Sequence, residues 1–183
     1  MKKEIRHQEN KEESKSLVHK EFKLINGRGQ LGEALKKLNI KDNVIIYHTW
    51  NFQDKSEEVQ RKCCEDLRKF VDENKDKRII FISTILDDDS HYARFKRISE
   101  LFVADNQSGS YIRLPTIIGK GVCEKFRDGD IKPFGDMELI SLEDAVKEVL
   151  DFIKSRERTR TVKGNIIPAK LVKNLILFGK GKC

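Results

Sequence analysis

The sequence predicts an α/β domain of three layers around a mainly parallel sheet of four or five strands. Short β-branched runs alternate with longer amphipathic stretches along most of the 183 residues, which is the pattern of strand–helix–strand units. The run Ile79–Ile82 is apolar throughout, as suits a strand covered on both faces. The length fits one compact domain with a sizeable core.

Residues 1–20 are half charged and poor in apolar side chains, so they read as a flexible arm, with a single domain expected over 21–183. Phe22–Ile25 is the first strand and Gln30–Leu38 a short helix. Val44–Tyr47 is the second strand. Ser56 to Asn74 forms a helix with Val59, Cys63, Leu67, Phe70 and Val71 along one stripe. Ile79–Ile82 is the third strand, Ser90 to Ala104 the next helix and Tyr111–Leu114 the fourth strand. Residues 115–137 contain four glycines and two prolines and are expected as a long irregular loop, a kind of segment that often carries function. Glu138–Ile140 makes a last short strand. Ser141-Leu-Glu-Asp144 is a capping box opening a helix whose core face is Ala145, Val146, Val149, Leu150 and Ile153. The C-terminal segment is read as basic and helical, with a final helix from about Pro168 to just before Gly179.

Apolar residues make up 38% and charged residues 37% of the chain. The longest apolar runs, such as Ile79–Ile82 and Leu175–Phe178, are four residues and far too short to cross a bilayer, and residues 1–20 have no apolar signal-type core. A cytoplasmic protein without a membrane partner is expected. Cys63, Cys64, Cys123 and Cys183 form no C-x-x-C pair, and His7, His19, His48 and His91 are scattered; reduced thiols and no structural metal follow. The net charge is +7, and residues 154–183 hold nine Lys/Arg against one acidic residue. Such a run attracts phosphate of any kind. No aromatic platform or zinc finger accompanies it, so nucleic acid is not the expected partner and a solvated face is the ordinary reading.

Two constellations could carry chemistry. Gly27-Arg-Gly29-Gln-Leu-Gly32 lies between the first strand and the first helix. There the first glycine permits the tight turn, the second lets a pyrophosphate approach the backbone, and the third lets helix pack on strand. An ordinary glycine-rich βα turn is the alternative. After the third strand come Ser83 and Thr84, then Tyr92-Ala-Arg-Phe-Lys96 at a helix start. Tyr92 and Lys96, four apart, share a helix face, where a lysine favours the phenolate and a Thr84 hydroxyl can hold a carbonyl. The alternative is an amphipathic helix with Tyr and Lys on its surface.

Together with Tyr111-Ile-Arg-Leu-Pro-Thr-Ile-Ile-Gly119 and Leu139-Ile-Ser-Leu-Glu-Asp-Ala145, these motifs occur in an order that resembles the extended short-chain dehydrogenases/reductases, the NAD-dependent epimerase/dehydratase proteins acting on nucleotide sugars. The resemblance covers roughly residues 21–178. It implies a trimmed Rossmann-type fold, NAD or NADP as cofactor, and a role in polysaccharide or glycan biosynthesis. It also implies Thr84, Tyr92 and Lys96 as a catalytic trio, with Tyr92 moving the proton and Lys96 holding the nicotinamide ribose. The cofactor would lie against Gly27, Arg28, Gly29, Gln30, Leu31 and Gly32, with His48, Thr49 and Pro115 beside it.

The chain departs from that family in definite ways. Eleven residues separate Gly32 from Val44, where the family places two more strands and helices. About 20 positions after the glycines, where the fingerprint has an acid for the adenosine ribose, stand Tyr47, His48 and Thr49. Thr84 and Tyr92 are only eight apart, closer than in the family. Arg28 could favour a 2′-phosphate. Trp50 stacks on a ring or caps the core; Asp87-Asp-Asp89 binds a cation or starts a helix; Arg113 faces a phosphate or reaches for solvent. Loss of two strands puts Phe22–Ile25 at a sheet edge, so a homodimer or a covering arm is expected. The leading expectation is an NAD(P)-dependent reductase or epimerase acting on a nucleotide sugar. The alternatives are a non-catalytic nucleotide- or nucleotide-sugar-binding regulator or partner subunit, and a basic adaptor for a polyanion.

Overall fold

A computed structural model of the protein describes residues 22–27, 29–40, 42–130, 132, 135–168 and 170–172. In chain order its elements are β1 (Phe22–Ile25), α1 (Gln30–Lys36), β2 (Val44–Tyr47), α2 (Glu57–Glu73), β3 (Ile79–Thr84), α3 (His91–Asp105) and β4 (Gly109–Leu114). Then come β5 (Thr116–Ile117), α4 (Val122–Asp128), β6 (Met137–Ile140), α5 (Leu142–Ser155), β7 (Thr159–Thr161) and β8 (Asn165–Ile167). Five parallel strands in the order β1-β2-β3-β4-β7 make the main sheet, and β5-β6-β8 make a smaller one. This is the trimmed Rossmann-type fold, with β1 at an edge as the missing strands require. The charged arm, 1–20, lies outside the described residues.

Strand alternation assigns the layers. Val44, Ile46, Ile80, Ile82, Ile112 and Leu114 face α1 and α5, packing on Leu31, Leu35, Ala145, Val149, Phe152 and Ile153. Tyr47, Ile79 and Phe81 face the other way, onto Leu67 and Val71 of α2 and Val103 of α3. Full burial of each such aliphatic side chain is worth about 1.5–3 kcal/mol, so β2 and β3, covered on both faces, anchor the sheet. Ser90 Oγ accepts the Ala93 N–H and Ser141 Oγ the Asp144 N–H, the N-cap bonds their positions call for.

The order also creates a crevice. The steps from β1 to β2 and from β2 to β3 go the same way across the sheet, yet α1 packs on one face and α2 on the other. The two crossovers therefore have opposite hands, and the chain leaves the ends of β1 and β2 toward opposite sides. Adjacent strands whose connections diverge in this way leave an opening at their carboxyl ends, where α/β sheets bind ligands.

Three expectations fail. Residues 115–137 are not irregular throughout: β5 and α4 lie there, and α4 closes a small apolar cluster of Cys123, Phe126, Leu139 and Val172. The strand at Met137–Ile140 is not the last, and it pairs with β5 and β8 instead of extending the main sheet. The basic C-terminal segment is not simply helical, because β7 and β8 precede the helical residues 170–172. At three residues each, these strands are too short for a periodicity to show. The rest of the expected final helix, with Cys183, lies outside the described residues.

Candidate functional site

The crevice is built from the β1–α1 turn upward. Asn26 at the end of β1 has φ 54°, turning the chain so that Gly27 and Gly32 meet backbone to backbone. A Cβ on Gly32 would stand 2.5 Å from the Gly27 carbonyl carbon, so only glycine lets α1 lie this close to β1. Gly29 differs: its nearest neighbour in the Cβ direction is His48 Nε2, at 3.9 Å. The second glycine is exposed, and a side chain there would meet His48 only in ordinary van der Waals contact, so the backbone is accessible to a phosphate. Opposite it, the backbone N–H of His48 and the hydroxyl of Thr49 both donate to Ile25 O, at 3.3 and 3.4 Å, tying the end of β2 to the end of β1. Burial, helped by the charge on Lys96, lowers the His48 pKa to about 4, so its imidazole is neutral near pH 7. Leu31 is core, Pro115 is buried beside Gly164, and Arg28 lies outside the described residues.

Thr84, Tyr92 and Lys96 are positioned differently from the arrangement the sequence implied. Thr84 Oγ1 accepts the Leu86 N–H at 3.1 Å, and alternation along β3 puts Thr84 on the side of Ile80 and Ile82. Lys96 reaches the other face. Only 5% exposed, its Nζ donates to Ile82 O at 2.8 Å and lies 4.4 Å from the Trp50 ring centre, 4.5 Å from that of Phe81 and 5.9 Å from that of Tyr92. Burial lowers its pKa to about 7, against the opposing pull of Glu100. Burial also raises the Tyr92 phenol to about 12, the opposite of what proton transfer near neutrality requires. Trp50 is a core aromatic, its indole N–H donating to Gln60 Oε1 at 2.7 Å.

No protein-family model matches the sequence, and no curated protein matches it. Solved structures do. A hypothetical dTDP-4-dehydrorhamnose reductase from Sulfolobus tokodaii aligns with a TM-score of 0.70 at 17% identity, over 87% of this chain and 82% of that one. UDP-N-acetylglucosamine 4-epimerase from Bacillus cereus gives 0.56 at 16%, over 84% and 68%. The dTDP-glucose 4,6-dehydratase of Streptomyces venezuelae, solved with NAD bound, gives 0.55 at 13%, over 76% and 58%. The fold is that of the extended short-chain dehydrogenases/reductases.

In that fold the glycine turn sits mid-sheet, and the adenosine half of a dinucleotide lies on strands beyond it. Among the described residues the sheet ends at β1, a four-residue strand with Lys23 exposed. The residues present fit the diphosphate portion of a ligand, because Gly29 is open and Gly27 and Gly32 are packed. They do not fit a whole NAD or NADP, since among the described residues neither a strand beyond β1 nor an acid at the expected distance from the glycines is present to hold the adenosine ribose.

Two features of this trimmed Rossmann-type fold are not visible in the residue pattern. The first is Glu100, 2% exposed, which accepts from Ser83 Oγ at 2.5 Å, from Arg97 at 2.5 Å and from the Arg113 guanidinium at 2.6–3.1 Å. Arg113, half-buried, is thus engaged by Glu100, and those bonds raise its pKa further. The second is the use of the basic run. Arg158 donates to the carbonyls of Ala104 and Asn106, and Arg160 to Glu157 and Glu148. Their guanidiniums serve the protein's own acceptors at the sheet margin. Among the described residues no group of three or more His, Cys, Asp or Glu could hold a metal ion, and no helix is long and apolar enough to cross a membrane.

Proposed function

We propose that this chain binds a nucleoside diphosphate or a nucleotide sugar at the Gly27–Gly29 turn and acts as a regulator or partner subunit in polysaccharide or glycan biosynthesis. The observation that carries this reading is the crevice at the carboxyl ends of β1 and β2, open at Gly29 and bounded by an edge strand. The ligand class is supported by the structural neighbours, which are named as enzymes of dTDP- and UDP-sugars. Calorimetric titration with UDP, dTDP and NADH tests it. Saturable binding of a nucleoside diphosphate, lost in Gly29→Asp, is expected. NADH should bind no more tightly than UDP, because its adenosine half gains no contacts. An NADH affinity more than tenfold above that of UDP would refute the reading.

The second reading is an NAD(P)-linked reductase or epimerase. It is favoured by Tyr92 and Lys96 sharing one face of α3, with the amine 5.9 Å from the phenol ring centre. Turnover of a nucleotide sugar with NADH or NADPH, abolished by Tyr92→Phe, would put this reading first.

A further inference from the structure

Across the mouth of the crevice, Gln30 joins two glycine turns. Its Nε2 donates to Ile117 O at 3.2 Å, and its Oε1 accepts the Lys120 N–H at 3.0 Å. The backbone opposite is shaped for this contact. Gly119 has φ 128°, and a Cβ there would collide with Gln30 Oε1. Gly121, at φ 83°, faces the ring of Phe52 from the β2–α2 loop, at 4.0 Å in its Cβ direction. Thus the segment 117–121 stands across from the Gly27–Gly29 turn, fixed by the Ile118 N–H on Ile140 O and the Gly121 N–H on Glu124 Oε2, while between them the Lys120 N–H is held by one neutral side-chain amide. A phosphate oxygen is a stronger acceptor than an amide oxygen, since charge-assisted hydrogen bonds are roughly twice as strong as neutral ones.

We propose that Gln30 is a latch on the crevice, and that a phosphate group of the bound ligand displaces its amide oxygen from the Lys120 N–H. The segment 119–121 then forms a second wall of the phosphate site, with the Lys120 ammonium adding charge. This rests on the nucleotide reading above and adds a regulation of that site: the free protein holds a competing acceptor where the ligand's second phosphate binds. Closing the latch lowers the fraction of protein ready to bind and so weakens apparent affinity in proportion.

The test compares wild type, Gln30→Ala and Gln30→Glu by calorimetric titration with inorganic pyrophosphate and with UDP, alongside hydrogen exchange at the Lys120 amide without ligand. Removing about one net hydrogen bond predicts roughly fivefold tighter binding by Gln30→Ala. Gln30→Glu should bind at least several-fold more weakly, because its carboxylate holds the Lys120 N–H more strongly and repels phosphate. Lys120 should exchange faster in ligand-free Gln30→Ala than in wild type. If Gln30→Ala does not fold, Gln30→Met, which removes both polar atoms at similar length, takes its place. Binding by wild type that the apolar variant leaves unchanged or weakens overturns the latch, and so does an unchanged Lys120 exchange rate. Failure of all three proteins to bind pyrophosphate or UDP overturns the nucleotide reading itself, and ligand displacement with it.

Discussion

Replacing Lys96 by Met separates a structural lysine from a working one. The amine titrates at about 7 in the folded protein against an ordinary 10.5. Each unit of such a shift corresponds to about 1.4 kcal/mol, so burying this group costs about 5 kcal/mol at pH 7 or below. The three surrounding rings return a part of that, about 0.5–2 kcal/mol for a desolvated cation–π contact. Methionine has nearly the same length, needs no proton removed and makes favourable contacts with aromatic rings. Lys96→Met is therefore expected to stabilise the protein at pH 7 by about 2 kcal/mol, raising Tm by roughly 4–8 °C for a chain of this size. The sign with pH follows from linkage. The unfolded chain binds more protons than the folded one between pH 7 and 10.5, so the wild type gains stability as pH rises through that window and loses it as pH falls toward 7. Urea unfolding of both proteins between pH 6 and 9.5 gives the difference directly. The advantage of Lys96→Met should be greatest at pH 7 and below, and should shrink by about 1.4 kcal/mol per pH unit above it. A variant that is less stable than wild type by a constant amount across that range would show that the ammonium is solvated and paired, and the buried-cage account would be wrong.

The two glycines of the turn should behave oppositely. Gly32→Ala drives a Cβ into Gly27 and should cost several kcal/mol in urea unfolding, on the scale of an overpacked core. Gly29→Ala meets nothing closer than His48 Nε2 at 3.9 Å; it should leave Tm within a few degrees of wild type while weakening UDP binding at least tenfold in the same titrations. Glu100→Gln removes the charge that Arg97, Arg113 and Ser83 converge on, so unfolding free energy should fall by about 3–5 kcal/mol, as for other broken buried pairs; a loss under 1 kcal/mol would mean that the site is wet. The low pKa of His48, about 4 against 6.5, means the unfolded chain binds the extra proton between those values, so stability is lost as pH falls from 6.5 toward 4; His48→Gln should flatten that part of the profile in thermal melts.

The strand–helix alternation, the buried β3 and the glycine turn were legible in the residues because each is local: periodicity, capping serines and glycine spacing act within one turn or one strand. Even the edge position of Phe22–Ile25 followed from setting the eleven residues before Val44 against the two further strands that the family resemblance implies there. Polar side chains were another matter. Tyr92 and Lys96 do share a helix face, as four-residue spacing dictates, but which way that face turns depends on how α3 packs against β3. The packing aims the amine at Ile82 O and Trp50 instead of the crevice. Arg113, Arg158 and Arg160 read as free charge until Glu100, Ala104 and Glu148 arrive from distant parts of the chain. Gln30 and Gly119, 89 positions apart, meet only because α1 and the β5–α4 segment end at the same mouth. Backbone preference and apolar period are properties of neighbouring residues, and the sequence determined the elements through them. The partner of a buried donor or charge is a property of the assembled layers, and only tertiary structure decided it.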